Sequence, residues 1–155
     1  IVAARAQLTE DETLDSARLG AVEALEAGIT TVADTSPTAA SLQAMAELGL
    51  RGTAYLEVFG PDPGQVEGSL AALRSLMAHA APYAAPLQRL GVSPHAPYSV
   101  SDALYRAVAE HVRQSLGLAP QAGRRWQCGV AVVVGGVVKA HGATPFSSSA
   151  PQLGQ

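Results

Sequence analysis

The feature that most constrains this chain is a repeated beat: a helix with one apolar face, a glycine, then a short run of β-branched and apolar residues. Thr9 and Glu12 have the S/T-x-x-E spacing of a helix-opening capping box. Leu14, Ala17, Ala21, Val22 and Leu25 then follow at helical spacing. Gly28 stands where a helix ends in a left-handed residue, a conformation glycine takes without strain. The run "ITTVAD", Ile29 to Asp34, predicts a buried strand. Ser36 and Pro37 predict the N-cap and first turn of the next helix, with Leu42, Met45 and Leu48 inside and Gly49 ending it.

The same order continues down the chain. "GTAYLEVFG", Gly52 to Gly60, predicts a strand, and "PDPG" the loop that follows it. Val66 to Ala80 predicts a helix with Val66, Leu70, Leu73 and Met77 on one face. "LGVS", Leu90 to Ser93, predicts a further strand. Ser101 and Asp102 then predict the cap of a helix whose inner face is Leu104, Tyr105, Val108 and Val112. The order α-β-α-β-α-β-α, with apolar runs rather than clean alternation, predicts an α/β fold with a parallel sheet covered by helices.

After Leu116 the character changes. "GLAPQAGRRWQ" has no period, and "GVAVVV" and "VVKAHG" around Gly135 and Gly136 predict a hairpin. "ATPFSSSAPQLGQ" is low in complexity and is expected to be disordered. The C-terminal part is therefore expected to be irregular, because a hairpin does not extend a βα series.

Composition narrows the function classes. The chain has 155 residues, enough for one domain with a real core, and is 48% apolar and 15% charged. A formal net charge of -3 leaves no basic footprint for nucleic acid or an anionic membrane. The one cysteine, Cys128, excludes an internal disulfide and a cysteine metal cluster, and fits a reducing, cytoplasmic setting. No apolar run reaches the length of a membrane span. A start at Ile1 rather than methionine reads as a piece of a longer protein.

In a parallel βα sheet, reactive groups gather at the carboxyl ends of the strands. Asp34 closes the first strand, Glu57 lies near the end of the second, and His95 follows the third, which places three ionisable groups on one rim. Each has a plainer alternative. Asp34 in "VADTS" also fits a turn or capping aspartate that accepts backbone N–H bonds. Glu57 in "YLEVF" either faces the interior of the fold or lies on the polar face of an edge strand. A lone histidine such as His95 is commonly a hydrogen-bonded structural group, although Pro94 and Pro97 give it the rigid loop that suits binding. His79 and His111 fall in predicted helices and read as solvated, and His141 sits in the irregular tail. The chain has no H-x-H, H-x-x-x-H, G-x-S-x-G, P-loop or G-x-G-x-x-G pattern, so it offers no self-contained catalytic constellation.

Three segments carry a family likeness: "LTEDETLDSARLGAVEALEAGITTVADTS", "LGLRGTAYLEVFGPDP" and "LGVSPHAPYSVSDALYRAVAEH". Together they resemble the amidohydrolase superfamily, and within it the metal-dependent deaminase and chlorohydrolase branch with its aminodeoxyfutalosine deaminase-like members. "GITTVADT" is similar to that family's second barrel strand, and "SPHAPYSVS" to its fourth strand and following loop. The likeness implies a segment of a TIM-type (β/α)8 barrel, about strands 2–4 with their helices, over residues 1–118. It implies a divalent cation, of the zinc type, that polarises a water for C–N hydrolysis of a nucleoside- or base-like small molecule. It also implies that His95 contacts substrate rather than metal; from their places in the strands, Glu57 is expected as a second substrate-binding residue and Asp34 as a structural, supporting one.

The family's H-x-H belongs upstream of Ile1, and its H-x-A-E motif belongs where this chain reads "GLAPQAGRRWQCGV". Residues 119–155 thus form a tail unlike the family, as a shifted reading frame would produce. With no metal ligand of its own, the chain as it stands is expected to be inactive, and its exposed barrel edges are expected to favour self-association. The alternative is a non-catalytic small α/β domain, flavodoxin-like in type, that binds a ligand or a partner.

Overall fold

The computed structural model describes residues 7–115 and 132–134. The elements run α1 (Glu10–Glu26), β1 (Thr31–Ser36), α2 (Ala40–Leu48), β2 (Arg51–Val58), α3 (Val66–Ala80), β3 (Gln88–Pro94), α4 (Asp102–Ser115) and β4 (Val132–Val134). Short 3₁₀ turns at Pro63–Gln65 and Ala81–Tyr83 flank α3.

The local signals act largely as expected. The Glu12 N–H donates to Thr9 Oγ1 at 3.2 Å, and the Thr9 N–H donates to Glu12 Oε2 at 2.8 Å, so the capping box is complete. The Thr9 backbone N–H, and after it the Thr9 hydroxyl, hold the Glu12 carboxyl below its ordinary value of 4.5. The cap's charge contribution is therefore full above that value and is lost as pH falls through the lowered one. Glu12→Gln should melt below the parent protein at neutral pH, and the gap should close in acid; thermal melts followed by circular dichroism at a series of pH values check this. Gly28 and Gly49 end their helices at φ 78° and 72°. Ser101 caps α4, its Oγ accepting from the Leu104 N–H at 3.3 Å.

Two expectations change. Ser36 is the last residue of β1 and not the N-cap of α2, because Thr35 and Ser36 still pair with Tyr55 and Leu56 of β2. The Ser36 hydroxyl accepts instead from the Thr38 N–H at 3.2 Å, and α2 begins at Ala40 behind an Ala39 cap with no side-chain bond. Helix α1 also buries less than its pattern promised: Ala21 is its buried residue, while Val22 and Leu25 are 37% and 41% exposed. It leans on α2, where Arg18 Nε donates to Glu47 at 2.7 Å, rather than lying flat on the sheet.

Strands β1, β2 and β3 pair in parallel in sequential order, Thr31 opposite Arg51 and Gly52 opposite Gln88. β4 adds antiparallel to β3, Val132 facing Val92 and Val134 facing Leu90. It lies within the first arm of the expected hairpin; the second arm and the low-complexity tail lie outside the described residues.

Burial separates the two faces of the sheet. Gly52, Ala54, Leu56 and Val58 of β2 are buried, and the residues between them are more open. Ala54, Leu56 and Val58, with Leu90 and Val92 of β3, form one core with Leu42 of α2, Leu70 and Leu73 of α3, and Leu104, Val108 and Val112 of α4. A smaller cluster on the same side joins Ala21 of α1 and Met45 of α2 to Leu50 and Val32. The helices thus share one face, as successive right-handed crossovers in an unreversed strand order require. The other face presents Thr31, Ala33 and Thr35, then Arg51, Thr53, Tyr55 and Glu57, then Arg89, Gly91 and Ser93. The helical cover expected over the parallel sheet thus lies on one face among the described residues. Gln88 is the notable buried polar group, its Nε2 donating to the Leu50 carbonyl at 3.0 Å and so tying β3 to the start of β2. Among the described residues no helix is long and apolar enough to cross a membrane.

Candidate functional site

At the carboxyl end of the sheet the ladder between β2 and β3 continues past the strands. The His95 N–H donates to the Val58 carbonyl at 3.1 Å, directly after the Val58–Pro94 pair. Farther on, Gly60 and Val100 form a parallel bridge: the Gly60 N–H donates to Ser99 O at 2.9 Å and the Ser101 N–H to Gly60 O at 2.8 Å. The loop 95–99 is thereby fixed at both ends by backbone bonds, and Pro94 and Pro97 stiffen it further. A side chain at Gly60 would be crowded, because a Cβ would stand 2.7 Å from Leu104 Cδ2 and 2.8 Å from Ser69 Oγ.

Within the loop, His95 Nδ1 lies 2.7 Å from Ser99 Oγ. The His95 ring stacks at a tilt on Phe59, centroids 4.7 Å apart at 31°, and meets the Tyr98 ring edge-on at 6.0 Å and 88°. Phe59 and Tyr98 are 44% and 82% exposed, large for aromatic rings, and His95 is exposed between them. Such a group is an exposed cluster of three rings set at different angles, with a polar imidazole between two apolar faces, a surface on which a ring-bearing molecule can pack.

Of the residues expected on this rim, Glu57 and His95 are placed together. Glu57 pairs in register with Ser93, on the face opposite the helices, and Phe59 follows two residues later. No hydrogen bond joins Glu57 to His95 among the described residues. Asp34 is not on the rim with them. It sits level with Ala54 on the helix side of β1, where its Oδ2 accepts from the Ser41 hydroxyl of α2. The reason is the two-residue extension of β1, which carries the strand end past Asp34. Its role is to tie β1 to α2. His79 is exposed on α3, His111 is half-buried on α4, and His141 lies outside the described residues.

Sequence reasoning did not single out Phe59, Tyr98, Ser99 or Gly60. The signal for Phe59 was its two-residue step from Glu57 along one strand, and for Ser99 its four-residue step from His95 in a proline-bound turn. Nothing in the local pattern announced the bridge at Gly60, which depends on a residue forty positions away.

No group of three histidine, cysteine, aspartate or glutamate side chains that could hold a metal ion occurs among the described residues. The described residues thus assemble no ligand set that fits a divalent cation. Neither a protein-family model nor a curated protein matches the chain.

Proposed function

We propose that this chain is the part of a metal-dependent amidohydrolase barrel carrying strands 2–4, and that Glu57 and His95 form its share of the substrate site. The observation that carries the reading is the one-sided sheet. Three parallel strands in sequential order, with every described helix on one face, are what a (β/α)8 barrel wall looks like in isolation. The polar face then corresponds to the barrel interior, and the rim with His95 to the end where such barrels place their chemistry. "SPHAPYSVS" adds the family likeness at that same rim.

On this reading His95 and the rings of Phe59 and Tyr98 orient a planar, nucleoside- or base-like small molecule for C–N hydrolysis. A cation of the zinc type would supply the polarised water when bound, from ligands that these residues do not include. The chain alone is expected to show no hydrolytic turnover, and the outer edge of β1 is where it would join further barrel strands or another copy.

A non-catalytic binding domain is the second reading, favoured by an aromatic site that stands without a metal-ligating group. A doubly wound, flavodoxin-like form of it is disfavoured, because that fold reverses its strand order and covers both faces. The nucleotide sequence flanking this reading frame separates the two. An upstream H-x-H codon run and a downstream H-x-A-E motif in another frame are expected. Flanks that encode neither motif in any frame would overturn the barrel reading in favour of the binding domain.

A further inference from the structure

The contacts around Ser99 assign a proton. Ser99 Oγ lies 2.7 Å from His95 Nδ1 and 3.2 Å from the Ala96 carbonyl oxygen, which also accepts the Ser99 N–H at 3.0 Å. A hydroxyl has one proton to give, and a carbonyl can only accept. Were that proton given to Nδ1, one bond would form, and the lone pairs of Oγ and the Ala96 oxygen would face each other unbridged. Given to Ala96, it leaves Oγ free to accept from an Nδ1–H, and both contacts become hydrogen bonds in one polarising chain. The second arrangement satisfies more groups with the same atoms. The loop cannot easily swing Ser99 away, because the Gly60–Val100 bridge and the two prolines hold it.

We infer that Ser99 is a positioning residue that holds neutral His95 with its proton on Nδ1, which leaves Nε2 of this exposed ring as a hydrogen-bond acceptor. The ligand taken here is accordingly an uncharged, ring-bearing molecule that offers an N–H or O–H donor to Nε2 and packs its ring face on one of the exposed rings and its edge on the other. A flat molecule with only acceptors would meet an acceptor. The inference rests on the reading of His95 as a ligand-contacting residue, and it adds the polarity of that contact.

Nitrogen-15 NMR of the imidazole in the full chain, above the pH at which the ring is charged, reads the tautomer directly. The expected result is a protonated Nδ1 and a bare Nε2. Ser99→Ala should move the proton towards Nε2, and Ser99→Thr, which keeps the hydroxyl, should leave it on Nδ1. A protonated Nε2 in the parent chain would overturn the inference whether or not the alanine variant folds, and so would an unchanged tautomer in a folded Ser99→Ala.

Benzamide and methyl benzoate serve as ligand probes, alike in ring and different in donor. Benzamide should shift the Nε2 resonance and bind more tightly than the ester by roughly 2–10-fold, the worth of one neutral hydrogen bond. The preference should vanish in Ser99→Ala. Equal binding of the two, or binding of neither, would overturn the donor-bearing ligand class. Flanking DNA without the metal motifs would sink the hydrolase reading and leave these NMR outcomes as they stand, so the two failures are distinguishable.

Discussion

Leu56→Ala is expected to destabilise the chain by about 2–5 kcal/mol. Leu56 is 0% exposed at the centre of β2, inside the core that α2, α3 and α4 share. Removing its branched end forfeits transfer free energy and leaves a cavity bounded by elements that cannot all close in. Domains of this size have only about 5–15 kcal/mol of net stability, so the loss is a large part of the whole. Thr53→Ala, three residues away on the opposite face, is expected to cost about 1 kcal/mol or less. Urea unfolding of the two variants compares them. A small loss for Leu56→Ala with a large one for Thr53→Ala would mean that the core lies on the other side of the sheet.

Gly60→Ala is expected to cost about 1–3 kcal/mol as overpacking, and to disturb the candidate site as well. The added methyl would enter the space of Leu104, which is fully buried in a close-packed core. The neighbouring Ser69 hydroxyl, which donates to the Phe59 carbonyl at 2.7 Å, would have to yield too. Either movement displaces the backbone that accepts from Ser101 and donates to Ser99. Chemical shifts of the Phe59, His95 and Tyr98 rings should therefore change together in this variant. Destabilisation with those ring signals unmoved would show that the loop holds its shape without Gly60.

Much of the fold could be read from the residues because its signals are local. The Thr9–Glu12 box, the left-handed Gly28 and Gly49, and the span Val66–Ala80 each follow from interactions within a few positions. What the sequence concealed was set by distant pairing. The start of α2 moved to Ala40 because β2, not the local Ser36-Pro37 signal, decides where β1 stops. The apolar run in β1 suggested a buried strand, whereas Thr31, Ala33 and Thr35 are exposed and Val32 packs with the helices. At the rim, the place of His95 in a proline-bound loop and of Glu57 near a strand end could be read locally. Asp34 was misplaced because strand register, which no single segment contains, decides which ends are level. The ring stack of Phe59 on His95 joins two loops through the sheet and could not be seen in either one.

The helices share one face of the sheet, while the other presents the polar row leading to Glu57 and His95. Tyr55 tests it most directly, since its register partners are Thr35 and Gly91 and it lies opposite to Leu56. In a nuclear Overhauser spectrum of the full chain, the Tyr55 ring protons should report Thr35 and Gly91, and none of the methyls of Leu42, Leu70 or Leu104. Cross-peaks from the Tyr55 ring to those helix methyls would place helices on the supposed open face and contradict the account.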